Sequence, residues 1–165
     1  MYTLFVILHI LSAGVFIGLG VVMVLSNRAR VQSKGTAAEL YYTRSMLRLL
    51  LAMGNIAGLG IFITSIVITS MSYAWFPFTT LPWLAIKQVN FLIMMALAGA
   101  IMVPTAKKAI VLMVQELTMP SYTSGASETL RAMVRKAFAI AMINQILILA
   151  NVTLGEWKPM LWANG

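Results

Sequence analysis

The chain has no cysteine and no aspartate, a single histidine (His9), and only four glutamates in 165 residues. Without thiols there is neither a disulfide framework nor a thiolate nucleophile. One imidazole with a few scattered carboxylates excludes Ser-His-Asp triads, the common zinc sites and paired-carboxylate hydrolysis. A proton or ion relay is equally ill supplied, because relays string several carboxylates or imidazoles through a membrane. Charge of either sign is scarce, at 10 % of residues. No glycine-rich phosphate loop follows a strand, because no strand pattern is evident.

Apolar residues, by contrast, make up 61 % of the chain and the mean hydropathy is +0.90. A soluble domain carries about 45–50 %. The excess is gathered into four runs, at about 3–26, 49–73, 83–106 and 134–156. Each is long enough to cross ~30 Å of hydrocarbon at ~1.5 Å per residue, and in lipid each must be helical to satisfy its own backbone. The first run has no charged segment before it and no small-residue cleavage site after it, so it reads as a retained helix. The expectation is an all-α, four-transmembrane-helix bundle forming one integral membrane domain over 1–165.

The net charge of +8 would point to nucleic acid on one soluble face, but ten of the twelve basic residues lie in, or within a turn of, the two segments between spans one and two and between spans three and four. The positive-inside rule makes those segments cytoplasmic and leaves both termini outside, as expected for a bacterial inner-membrane protein. It also replaces nucleic acid with the lipid bilayer as the partner. The opposite loop, Ala74 to Pro82, is uncharged and aromatic, and Tyr2, Trp83, Trp157 and Trp162 fall at its level as an interfacial belt. Thr36–Arg48 has good helix formers and extends span two inward. Met119–Gly125 reads as a turn-rich break, and Ser127-Glu128 suits the start of the last helix.

Small residues mark helix contacts in lipid. Gly14-x-x-x-Gly18 with Gly20, and Gly54-x-x-x-Gly58 with Gly60, are expected to pack tightly within the bundle. Polar stripes at a spacing of three and four, Asn55-Gly58-Phe62-Ser65-Thr69 and Asn144-Ile148-Asn151-Gly155, are expected to point inward.

Three titratable groups fall within or at the edge of the spans: His9, Lys87 and Glu156. With both termini outside they share the outer layer, and Asn90 and Asn151 line the same half. The structural reading has Lys87 snorkelling, Glu156 solvated beside Lys158, and His9 bonded to a neighbouring helix. The functional reading makes His9 the axial metal ligand of a haem between helices, with Lys87, Asn90 and Asn151 completing a cofactor-binding pocket. With no second histidine, a bis-histidine site within one chain is impossible. The sixth position would fall to Lys87, one of the 13 methionines, a second subunit, or nothing.

Leu8-His9-Ile10-Leu11-Ser12-Ala13-Gly14, Arg44-Ser45-Met46-Leu47-Arg48, Pro82-Trp83-Leu84, Val103-Pro104-Thr105-Ala106-Lys107-Lys108 and Trp157-Lys158-Pro159 resemble an uncharacterised bacterial family of four-helix integral membrane proteins. That family is distantly similar to the membrane domain of copper-resistance protein D and to HemJ-type protoporphyrinogen oxidases. The resemblance to the latter implies haem b, with a first-helix histidine at His9 and a third-helix lysine at Lys87. The chain departs from that pattern in having Ala85 and Ile86, not a second histidine, before the lysine. It departs again in carrying Val21–Leu25 where aromatic and basic residues are expected. For the copper proteins, Met160 and His9 are a sparse ligand set. Two functions are therefore carried forward: a haem-binding membrane protein engaged in redox or porphyrin handling, and a non-enzymatic accessory or assembly subunit. Both anticipate a homo-oligomer or association with other membrane subunits.

Overall fold

Four rods run antiparallel, as the hydrophobic runs require. The computed structural model describes the chain except residues 73–74, 119–124 and 163–165, and except the side chains at 54, 72 and 156–162. The first rod is α1 (Tyr2–Gln32). The second joins α2 (Ala37–Ala52) to α3 (Leu59–Ser72) through a π-helical turn, Met53–Gly58. The third joins α4 (Pro82–Leu97) to α5 (Val103–Thr118) through a second π-helical turn, Ala98–Met102, and the fourth is α6 (Glu128–Trp162). Each rod is long and apolar enough to cross a membrane, so the protein is a multi-pass membrane protein. All four overrun the hydrocarbon at the basic end, where the amphipathic segment 36–48 continues the second rod as expected.

The two wide turns have local causes. Pro104 has no N–H to give the Ala100 carbonyl four residues back, which frees the backbone just where the third rod widens. In the second rod the Met53 carbonyl lies 3.2 Å from where a Cβ on Gly58 would stand, so the wide turn closes over a residue without a side chain. Each π turn inserts extra backbone into the rod and rotates every residue beyond it.

Packing depends on small and pliable side chains, since lipid tails compete on equal terms for apolar surface. Ala106 and Ala109 on α5 and Ala137 and Ala141 on α6 are fully buried, which allows those helices to approach closely. Met23, Met46, Met53 and Met102 fill the irregular space at the centre. Leu4, Ile7, Ile10, Leu11, Val21 and Leu25 of α1 face outward, as a lipid-exposed surface should.

Three expectations are corrected. Gly14 and Gly18 face open space, because α1 meets its neighbours through a different face. On that face Gly20 accommodates Gln145 of α6, and Ser12 fits against Gly60 of α3. Asn55 is exposed, since it sits inside the π turn. Trp83 is buried and so is not part of an exposed aromatic belt, whereas Tyr2, Trp75, Phe76 and Phe78 are exposed at that end. The side chains of Glu156, Trp157, Lys158, Met160 and Trp162, and the break at 119–124, lie outside the described residues.

A charge clasp closes the basic end. Glu39, 1 % exposed, receives both Nε and Nη2 of Arg131 at 2.7 and 2.8 Å, together with the Gly35 and Ala126 amides at 2.8 and 3.3 Å. The Arg131 guanidinium, with the two amides, holds the Glu39 carboxyl down at about 2 against the opposing effect of burial. Arg131 also reaches Glu128 at 2.7 Å. Ser127 Oγ donates to Glu116 of α5 and caps α6 by accepting the Leu130 amide at 3.1 Å, so the anticipated helix start is present.

Candidate functional site

At the aromatic end the bundle resolves into two pairs, α1 with α3 and α4 with α6, and these pairs touch each other sparingly. The residues singled out from the sequence divide between them. His9 belongs to the first pair and Lys87, Asn90 and Asn151 to the second.

His9 Nδ1 lies 2.9 Å from Thr64 Oγ1 and 3.5 Å from Ser65 Oγ on α3. Thr64 has one hydroxyl proton, and its geometry gives that proton to the Gly60 carbonyl at 2.6 Å, with the Ile61 carbonyl at 3.1 Å. Such bonding to the preceding turn is a common habit of threonine in helices. The hydroxyl oxygen is then an acceptor, so Nδ1 of the neutral ring carries the hydrogen and the lone pair resides on Nε2. Among the described residues Nε2 has no hydrogen-bond partner, and it is not among the buried orphaned atoms. The ring is thus positioned through one nitrogen and available through the other.

This arrangement needs the two helices to be close. A Cβ on Gly60 would stand 2.5 Å from Ser12 Oγ and 3.2 Å from Ser12 Cβ. Replacing Gly60 with valine is expected to push α1 off α3, break the His9–Thr64 bond and cost about 1–3 kcal/mol. Thermal unfolding in detergent would show the loss, and the ¹⁵N shifts of the His9 ring would show the broken bond.

In the second pair, Asn90 Nδ2 donates to Asn151 Oδ1 at 3.0 Å and Asn151 Nδ2 to the Lys87 carbonyl at 3.4 Å. The Lys87 ammonium sits 5.7 Å from the centre of the Trp83 ring, and a Cβ on Gly155 would meet it at 3.0 Å. It therefore lies along the seam of α4 and α6, with the indole as a cation–π platform. It is also close enough to His9 to act on it electrostatically. Phe62 and Phe91 stack at 5.7 Å between α3 and α4, a turn deeper.

Under that aromatic floor lies a cavity of about 40 Å³, walled by Phe16, Ile61, Phe91, Met94 and Met102 and touched by Asn144. His9, Lys87, Asn90 and Asn151 do not line it; the four residues expected to share a polar pocket are divided between the two helix pairs. The Asn144 Oδ1 acceptor is buried without a partner, whereas neighbouring Gln145 donates to the Phe16 carbonyl at 2.9 Å and joins α1 to α6.

The cavity has room for about a water molecule and excludes a tetrapyrrole. Outside the cavity, His9 offers one oriented imidazole with an available nitrogen, and Lys87 on the neighbouring helix pair is a cation suited to a carboxylate. No cluster of three His, Cys, Asp or Glu side chains that could hold a bare metal ion is present among the described residues. Sequence reasoning missed Thr64, the residue that orients His9. The signal was available as Gly60-x-x-x-Thr64, a small-residue pair on one helical face. The chain matches no family model, no curated protein and no solved structure.

Proposed function

We propose that the protein holds haem b in the outer half of a bacterial inner membrane, with both termini outside, and takes part in redox or porphyrin handling. The observation that supports this most directly is the Thr64 hydroxyl on His9 Nδ1, which leaves Nε2 as the free lone pair. A hydrogen bond on the distal nitrogen is how ligating imidazoles are normally oriented. Lys87 would meet a propionate or another anionic edge, and the Asn90–Asn151 pair fixes the helix from which Lys87 projects. When bound, the haem supplies one-electron chemistry; the protein supplies ring orientation, a cation and an apolar surround.

The test is the absorption spectrum of protein purified from haem-replete cells. A Soret band is expected, abolished in His9→Ala and weakened in Lys87→Gln. A colourless but folded wild-type protein would remove the proposal.

A second reading, a non-enzymatic accessory or assembly subunit, is favoured by a specific observation. The polar residues named from the sequence already bond between the two helices of each pair, His9 to Thr64 and Asn90 to Asn151, as residues that only join helices would. On that reading the protein is colourless and co-purifies with a second copy or another membrane subunit.

A further inference from the structure

Arg30 is a buried cation without a matching anion. It occupies the last turn of α1 and is 5 % exposed, yet its only hydrogen-bond partner among the described residues is Asn27 one turn back. The Asn27 Oδ1 accepts from Nε at 3.2 Å and from Nη2 at 2.9 Å, which fixes the plane of the guanidinium by one edge. Nη1 has no partner among the described residues and is not among the buried orphaned atoms, so it opens to the surface.

The nearest acid does not neutralise it. Glu39 acts on Arg30 electrostatically, but its two oxygens already receive four donors from Arg131, Gly35 and Ala126. Arg131 and Arg135 act on Arg30 in the repulsive sense. Arg131 thus has both Glu39 and Glu128, while Arg30 is left without a carboxylate of its own. Withdrawing a guanidinium from water without pairing it is costly, and the cost falls when an anion accepts from its free edge.

Depth identifies the anion. From Tyr2 to Arg30 the helix rises ~42 Å, close to the full width of a bilayer with its headgroups. With Tyr2 at one interface, Arg30 lies in the headgroup layer of the other. The abundant anion at that level is a phosphodiester, which the planar fork of arginine recognises with two parallel hydrogen bonds. We propose that Arg30, oriented by Asn27 and assisted by Arg135, forms a binding site for the phosphate of an anionic phospholipid between the basic ends of α1, α2 and α6.

The experiment measures thermal unfolding of the full chain in neutral detergent with phosphatidylglycerol, phosphatidylcholine or inorganic phosphate added in turn. Phosphatidylglycerol is expected to raise the midpoint of the wild type by several degrees, with phosphatidylcholine having little effect. Arg30→Gln is expected to weaken the apparent affinity at least tenfold. Stabilisation by inorganic phosphate alone, lost in Arg30→Gln, would keep the phosphate chemistry and assign it to a free anion. If Arg30→Gln does not fold, Arg30→Lys and Arg135→Gln take its place, and each should weaken the response. An equal phosphatidylglycerol response in the wild type and the variants, or none in the wild type, would overturn the proposal. Exposed Arg28→Gln serves as the control, and an equal loss there would also overturn it, by reducing the effect to general surface attraction.

Discussion

Glu39→Ala is expected to cost about 3–5 kcal/mol of stability, because it leaves Arg131 without the partner that its Nε and Nη2 address together. The loss is large for one surface-end residue because four donors converge on the same carboxylate: two from α6, one from the α1–α2 connection and one from the segment before α6. Detergent-based thermal or SDS unfolding reads it directly. The same group gives a pH dependence of defined sign. Its folded value of about 2 lies below the ordinary 4.5, so its contribution is fully present above about pH 4.5 and is lost as the pH falls toward 2. The amount is about 2–3 kcal/mol. Glu39→Gln should flatten that acid limb, and an unchanged limb would mean that other carboxylates control it.

Gly125→Val is expected to be nearly as damaging, at about 2–4 kcal/mol, by a steric route. Gly125 has φ +108°, a region closed to β-branched residues, and a Cβ there would stand 2.9 Å from Gly35 Cα and 3.3 Å from Glu39 Oε2. Gly35 itself has φ +82°. Two glycines of opposite connections therefore touch backbone to backbone, and the carboxylate is held beside them. Because valine at 125 and alanine at 39 undo the same clasp, the double variant should lose clearly less than the sum of the singles. Strict additivity would show that the two contacts are independent.

The architecture was readable because lipid imposes it: four long apolar runs had to become four helices. Along α6, an uninterrupted helix, a spacing of three and four correctly placed Asn144 and Ile148 inside and brought Asn151 onto Asn90. Along the second rod it held beyond the wide turn, where Thr69 is buried, Ser65 lies 3.5 Å from His9 and Phe62 stacks on Phe91, and it failed at the turn itself. Counting from Asn55 at constant pitch steps over the extra backbone of Met53–Gly58, so it put Asn55 inside and overlooked Thr64. Periodicity cannot register a change of pitch that depends on a backbone carbonyl closing over a residue without a side chain. The glycine expectation divided, since Gly20 and Gly60 make the close contacts anticipated of them while Gly14 and Gly18 face open space. The Glu39–Arg131 pair was invisible for another reason. The partners are 92 residues apart, and nothing local to either indicates the other.

The wide turn in the second rod makes the orientation of His9 a matter of chain length. A lineage that lost one residue between 53 and 58 would keep its hydropathy, its four crossings and every polar side chain named around His9. Yet the outer half of that rod would be turned by about 100° relative to its base. The threonine would then face away from the imidazole. Among distant kin, therefore, a gap in this short stretch is a sharper sign of a lost or altered site than a substitution at the histidine's neighbours.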